Sequence, residues 1–321
     1  MKAPDFWTKG GLPSLLLAPA GWLWAAGSSL RGRGDAPPFK PEVPVICVGN
    51  AVVGGQGKTP VALALAAHLK GAHFLSAGYG GSAQGPLRVD PLFHDYKIVG
   101  DEPLELAAAA PCWVAKDRVA GARAAVEAGA RCLIMDDGFQ DPSLAKTLSF
   151  LVVDGAYGFG SGRCIPAGPL REPVARALAR TDAVVLIGPD RHNLIRRFGK
   201  KPVLNAVLEP EAEAHGLAGR AVVAFAGIGR PDKFFQTLED VGARLAAAFA
   251  FPDHHPYHPA EIGALVAEAD RLGASLITTA KDYVRIPPHQ RYKVTVLPVR
   301  LIWKDEAALR AVLSRKLKGG S

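Results

Sequence analysis

A chain of 321 residues, 49% of them hydrophobic, can form one large or two medium domains with real cores, and that apolar content excludes a disordered chain. The net charge of +8 and pI near 9.4 call for an acidic partner, which charge alone leaves open among nucleic acid, a nucleotide and an anionic membrane surface. Cys47, Cys112, Cys132 and Cys164 are far apart and form no CxxC pair; they read as reduced, buried thiols and argue against a zinc site.

Residues 1–34 differ from the rest. Phe6, Trp7, Leu12, Leu15, Leu16, Leu17, Trp22, Leu23 and Trp24 make the segment strongly apolar, but Pro13, Pro19 and Gly21 interrupt it. No run reaches the roughly 20 residues a spanning helix needs. Three tryptophans and the lack of a small-residue cleavage site before Arg31 also disfavour a signal peptide. Tryptophans beside Lys2, Lys9, Arg31 and Arg33 suit a segment lying in a membrane interface, and that reading is preferred to a helical hairpin packed on the protein.

The stretch VICVGNAVVGGQGKTP, Val45 to Pro60, has the form of a buried strand, a glycine turn and the start of a helix. Gly54, Gly55 and Gly57, with Gln56 among them, let backbone N–H groups approach an anion. Lys58 is placed to reach β- and γ-phosphates, Thr59 to bind Mg²⁺, and Pro60 fits the first helical turn. This is a P-loop with one departure: Val52 stands where the first glycine of the usual spacing belongs.

Further on, a strand at Phe74 to Ser76 runs into the turn Gly78, Tyr79, Gly80, Gly81, at a strand end where open α/β sheets bind ligands. Gly100 to Pro103 reads as a turn before a helix starting near Leu104. Its acids Asp101 and Glu102, taken alone, do no more than complement a helix N-terminus. Trp113 to Ala115 is a strand, and Asp117 caps a helix running to about Gly129. Cys132 to Met135 is a buried strand ending in Asp136 and Asp137, a Walker B pattern in which one carboxylate holds Mg²⁺. Strands at Phe150 to Asp154 and Ala183 to Ile187 enclose a Gly- and Pro-rich loop from Gly158 to Pro173, where Arg163 and Arg171 suit phosphate recognition.

From Asn205 to Gly219 the chain turns acidic and loop-like, with Glu209, Glu211 and Glu213, and reads as a domain boundary. A second unit follows: a strand at Val222 to Ala226, a turn at Gly227 to Gly229, and a helix from Pro231. Strands at Leu245 to Phe249, Leu276 to Thr279 and Val294 to Leu297, a helix opened by Pro259 and a final one near Lys304 complete it. The alternation predicts an α/β fold, a P-loop NTPase-like doubly wound parallel sheet with a second, smaller α/β domain and an N-terminal membrane-associated helical segment. The expected divisions are 1–34, 35–207 and 208–321.

The motifs VGNAVVGGQGKTP, GYGG, GDEP, DDGFQ, GRCIPAGPLREP, AFAGIGRPDKFF, FPDHH and TTAKDYVRI together resemble, in order and over nearly the whole chain, the tetraacyldisaccharide 4′-kinases of lipid A biosynthesis, whose P-loop also lacks the first glycine. The resemblance implies transfer of the ATP γ-phosphoryl, with Mg²⁺, to the 4′-hydroxyl of a tetraacyldisaccharide 1-phosphate at the cytoplasmic face of the bacterial inner membrane. The expected partners are that glycolipid and the membrane surface, with no nucleic acid and the chain a monomer. It also places the catalytic base at Asp101, with His254 hydrogen-bonded to it when the domains close; Glu102 and Asp137 are the alternatives for the base. Lys58 and Asp137 are further expected catalytic groups, Thr59, Asp136 and Asp137 the metal set, and Tyr79, Arg163 and Arg171 substrate contacts. Two positions depart from the family: Ala77 replaces an arginine of the tyrosine-glycine loop, and Asp141 a histidine after DDGFQ. The rival reading is a P-loop switch or assembly ATPase acting on a protein. A nucleic-acid-binding role is discounted, because no basic cluster is interleaved with aromatics.

Overall fold

The protein is described by a computed structural model covering residues 4–31 and 37–317. Lys2 and Arg33, two of the cations in the interfacial reading, lie outside the described residues, as do the side chains of Arg31 and Glu213.

The strands in chain order are β1 Val45–Gly49, β2 Ala72–Ser76, β3 Leu87–Arg88, β4 Cys112–Val114, β5 Cys132–Asp136, β6 Leu148–Asp154 and β7 Ala183–Ile187, then β8 Val203–Pro210, β9 Ala221–Ala226, β10 Arg244–Ala250, β11 Ser275–Thr278, β12 Thr295–Val296 and β13 Val299–Trp303. Among the described residues, nine of them form one sheet in the order β13-β8-β7-β6-β1-β5-β2-β4-β3. Every pairing in it is parallel except the outermost on each edge, β13 on β8 and β3 on β4. The chain builds outward from β1 through β2 and β4, returns to β5, and crosses β1 to reach β6, β7 and β8. β1 is therefore the switch point of the sheet, where such folds open a crevice beyond their strand ends.

Burial follows the period of two that strands impose. Ile46 and Val48 face one side, packed with Phe74, Ile134 and Phe150 against the helices Lys58–Ala66, Asp101–Ala107 and Glu306–Leu317. Val45 and Cys47 face the other, under the helices Arg118–Glu127 and Val174–Ala179. Strands covered on both faces need the continuous apolar runs that the sequence shows. A smaller, all-parallel sheet of order β10-β9-β11-β12 is likewise sandwiched, between the helices Pro231–Asp240 and Pro259–Arg271.

Several expectations change. The segment after Asn205 is not a loop: β8 continues to Pro210 and pairs with β13, so the chain's last strand and last helix rejoin the large sheet. The residues 299–317 therefore pack with the first unit, although they follow the second in sequence. The helix expected near Leu104 starts at Asp101, because Gly100 serves as its N-cap and Pro103 falls within its first turn. Pro13 and Pro19 open helices rather than break one: Pro13 lies in the first turn of Leu12–Leu16 and Pro19 in that of Ala18–Arg31. Gly21 permits close approach, since a Cβ there would lie 2.9 Å from Cys164 O.

The N-terminal helices dock through one face and leave the other bare. Trp7 Nε1 donates to Pro166 O, Ser14 Oγ to Ala167 O and Trp24 Nε1 to Arg171 O, all on the Gly- and Pro-rich loop. Leu12, Leu15, Leu16, Trp22 and Leu23 remain exposed, Trp22 by 72% and Leu23 by 76%. No helix among the described residues is long and apolar enough to cross a membrane.

At the end of β1, Gly49 lets the turn after β5 lie directly on the strand, since a Cβ on it would sit 2.3 Å from Phe139 Cβ. Gly49→Ala is expected to cost about 1–3 kcal/mol through overpacking, read as a lower urea midpoint at unchanged m-value.

Candidate active site

The P-loop follows β1 and its glycines have distinct jobs. Gly57 caps the helix Lys58–Ala66 in the left-handed region, at φ 83°, and a Cβ on it would meet Ile187 Cδ1 at 2.6 Å. Gly54, at φ 101°, faces open space. Val52 needs no such freedom, because it is buried and bridges Leu170, while Val53 N donates to Pro169 O. The missing first glycine is thus a point where the loop is stitched to a second loop.

Two carboxylates meet this loop with different partners. Thr59 Oγ1 donates to Asp136 Oδ2 at 3.0 Å, while Asp136 Oδ1 is buried without a partner. Burial, reinforced by the negative charge of Glu102, pushes Asp136 up to about 7. An orphaned carboxylate oxygen beside a threonine hydroxyl fits a hard divalent cation. Among the described residues no cluster of three His, Cys, Asp or Glu could hold a metal, so such a cation would draw its other oxygens from phosphate and water. Asp137 is engaged elsewhere: Arg171 Nη1 reaches its two oxygens at 2.9 and 3.0 Å, and Lys58 Nζ lies 3.6 Å away. Burial opposes ionisation, but these two cations outweigh it and hold the Asp137 carboxyl below its ordinary range. Of the two acids expected to serve a metal, Asp136 keeps an unpartnered oxygen, while both oxygens of Asp137 are engaged by cations.

Asp101 comes from the other flank. A Cβ on Gly100, at φ 88°, would lie 2.6 Å from Tyr79 O, so only glycine fits the point that delivers Asp101 to the cleft. His254 Nδ1 lies 2.9 Å from Asp101 Oδ2, and Arg285 Nε 3.7 Å from the same oxygen. Burial raises the Asp101 carboxyl, but the His254 hydrogen bond and the charges of His254, Lys281 and Arg285 bring it down to about 2. The same bond raises His254 against the effect of its partial burial. Glu102, the neighbouring alternative, accepts from Lys281 Nζ at 2.8 Å.

His254 is held by the small sheet. Asp282, fully buried, accepts from Gly227 N, Tyr257 Oη and Arg285 Nη2, and Arg285 also donates to Gly227 O. His254 N donates in turn to Gly227 O, which fixes the histidine at a left-handed φ of 58°. Asp137 shares that unusual conformation, at φ 56°; two non-glycine residues so held in one cleft are what strained functional sites show.

A cavity of about 460 Å³ lies between the two sheets; Asp101 and Asp136 are not in its wall but bond to His254 and Thr59, which are. Its wall takes in the P-loop from Gly54 to Pro60 together with Tyr79, Asp137, Arg171 and His254. Gln56 contributes backbone, since its buried side chain turns away to accept from Asp154 N. Tyr79 is exposed, its ring edge-on to His254. Arg163 is not part of the wall. Asp141 also points elsewhere, accepting from Ser143 and facing Arg118 Nε at 3.5 Å, so it does not replace a site histidine. Near Ala77 a cation arrives from elsewhere, because Lys116 Nζ donates to the carbonyls of Ala77 and Gly78. Sequence reasoning did not assign Lys281, Arg285, Asp154, Arg230 or Lys233. The available signal was basic residues just beyond the strand ends of the second unit, in RPDK and KDYVR.

A model of the family described as LpxK, tetraacyldisaccharide-1-P 4′-kinase, matches residues 13–318. The tetraacyldisaccharide 4′-kinase of Rhodospirillum rubrum is 51% identical over 329 residues, covering 99% of each chain. That of Rhodospirillum centenum is 54% identical over 332 residues, covering 99% of this chain and 98% of that protein. A crystal structure of the "apo" form of LpxK from Aquifex aeolicus in complex with ATP superposes with a TM-score of 0.76 at 28% identity, covering 95% of this chain and 100% of that one.

The raised pKa of His254 has a definite sign. Its bond to Asp101 stabilises the fold fully below the unperturbed pKa of 6.5, and the contribution fades as pH rises through the higher folded value. The stability lost on His254→Gln is therefore expected to be larger at pH 5.5 than at pH 9, measured by urea unfolding at both; a loss independent of pH would contradict the pairing.

Proposed function

The chain belongs to the tetraacyldisaccharide-1-P 4′-kinase family, and from that premise we propose how its residues transfer the γ-phosphoryl of ATP to the 4′-hydroxyl of a tetraacyldisaccharide 1-phosphate. It is a kinase of lipid A biosynthesis that uses ATP. The observation that carries the residue assignment is one cleft lined by Lys58, Thr59 and His254, with Asp136 hydrogen-bonded to Thr59 and Asp101 to His254.

In this reading the amides from Gly54 to Thr59 and the Lys58 ammonium cradle the β- and γ-phosphates. Thr59 and Asp136 would hold Mg²⁺, which would supply neutralisation of the charge on the phosphate oxygens. Arg171, fixed by Asp137 and Gln140, faces the transferred group. Asp101 accepts a hydrogen bond from the sugar hydroxyl and aims it. A carboxylate held near 2 is a weak base, so its main work is orientation; it takes the hydroxyl proton late, as the O–P bond forms and the bond to the ADP oxygen breaks, as a loose transition state allows. His254 keeps the other Asp101 oxygen occupied and the carboxylate ionised. The switch-ATPase alternative is not favoured, because it leaves the hydroxyl-orienting pair without a task.

The exposed face of the N-terminal helices, next to the backbone of Arg171, suits an apolar surface that delivers the glycolipid. On this reading the protein is peripheral, at the cytoplasmic face of the inner membrane, and acts as a monomer.

Incubated with Mg-ATP and the tetraacyldisaccharide 1-phosphate in detergent, the protein is expected to yield a product heavier by one phosphate; ATP hydrolysis without that product would favour the alternative. Asp101→Ala and His254→Ala are each expected to lower kcat, and the double variant to lose little more than the worse single one, because the pair acts as a unit. Fully additive losses would reject the pair. Removal of residues 1–33 is expected to weaken binding to anionic vesicles and raise KM for the lipid, with equal partitioning of the two forms as the contrary result.

A further inference from the structure

On the flank of the P-loop opposite Asp101, the second unit meets the first around one carboxylate. Asp154 ends β6, which lies on one side of β1, whereas β5 and β2 lie on the other. It is buried and fully engaged: its N–H donates to Gln56 Oε1 of the P-loop, and Oδ1 accepts from Ala156 N and Tyr157 N. Oδ2 faces two cations of the second unit, Arg230 in direct contact and Lys233 Nζ at 3.5 Å. The second unit also comes close to the phosphate loop itself, so that a Cβ added to Gly229 would lie 3.6 Å from Gly55 N.

One negative charge against two positive ones leaves a surplus cation beside an anion-binding loop. Arg230 is the fixed member, held by the carboxylate and lying over the Tyr157 ring at 5.9 Å. Lys233 is the free one: its side chain is 48% exposed, and its ammonium stands beyond good hydrogen-bond distance from Asp154. It also sits in the first turn of the helix Pro231–Asp240, where the helix dipole disfavours a cation and a nearby anion would relieve the conflict. Both cations line the cavity.

We propose that Lys233 binds a phosphate oxygen of the nucleotide seated in the P-loop, so that the second unit contributes a cation to ATP and is drawn onto the loop by it. This rests on the ATP-kinase reading above. A phosphate could also come from the lipid acceptor, but Lys233 faces Asp154, which itself holds Gln56 of the P-loop, and that shared carboxylate favours the nucleotide. Arg230 and Asp154 act as the joint that sets its position.

The test compares wild type with Lys233→Met and Lys233→Arg, measuring KM for ATP, KM for the lipid, and the Kd of Mg²⁺ with the non-hydrolysable analogue AMP-PNP. Loss of one hydrogen bond between charged groups, reduced by the half-exposed setting, predicts that Lys233→Met raises KM for ATP and Kd for AMP-PNP about tenfold. KM for the lipid and Tm are expected to stay near wild type, and Lys233→Arg to recover most of the affinity. An unchanged KM for ATP and Kd would overturn the assignment, as would a rise confined to KM for the lipid, which would give Lys233 to the acceptor's phosphate. A wild-type protein that neither bound AMP-PNP nor phosphorylated the lipid would instead overturn the kinase reading itself.

Discussion

Opposite charges carried by two different sheets govern the arrangement of this molecule. The large sheet supplies acids at or just beyond its carboxyl strand ends, Asp101, Glu102 and Asp154; the small one supplies His254, Lys281, Arg285, Arg230 and Lys233. Partly exposed pairs of this kind add little net stability, and buried ones add less than their Coulomb attraction suggests. Their effect is registry: one facing of the two sheets leaves these acids paired, and others would strand buried charge. The cleft lies in the seam so defined, and its cations are those an anionic nucleotide would compete for.

Close approach is the second constraint. Gly49 admits Phe139, Gly57 admits Ile187 and Gly100 admits the carbonyl of Tyr79, so three separate strand ends can converge within one cavity. Asp136 shows what that convergence costs. It is buried among other acids, with one oxygen left unpaired, and sits near 7 until something positive completes it. A divalent cation held by Asp136 and Thr59 would supply the missing positive charge.

The Gly- and Pro-rich loop connects the site to the surface. Its backbone bridges Val52 at Leu170, takes hydrogen bonds from Trp7, Ser14 and Trp24, and carries Arg171 to Asp137. One face of the N-terminal helices is thus used up in packing, which answers the hairpin reading, while the other stays apolar and exposed, which keeps the interfacial one open. The two readings were alternatives only while the segment was treated as having a single face.

Local chemistry was legible in the residues themselves. The apolar runs of β1, β5 and β7, the glycine turn with Lys58 and Thr59, the acid ending β5 and the Asp117 cap depend on neighbours a few positions away, and they appear where the pattern put them. The motif series added the kind of reaction, which composition and spacing could not reach. What the sequence left open depends on contacts between residues 34 to 179 positions apart. Asp136 and Asp137 are adjacent and alike until Thr59 takes one and Lys58 with Arg171 the other. The acidic stretch after Asn205 looked like a linker because half of its strand's support, β13, arrives some ninety positions later, and hydrogen bonds between edge strands leave no short-range trace. Lys281, Arg230 and Lys233 carry no local mark of a role, because a charge becomes part of a site only when tertiary structure brings an acid to face it.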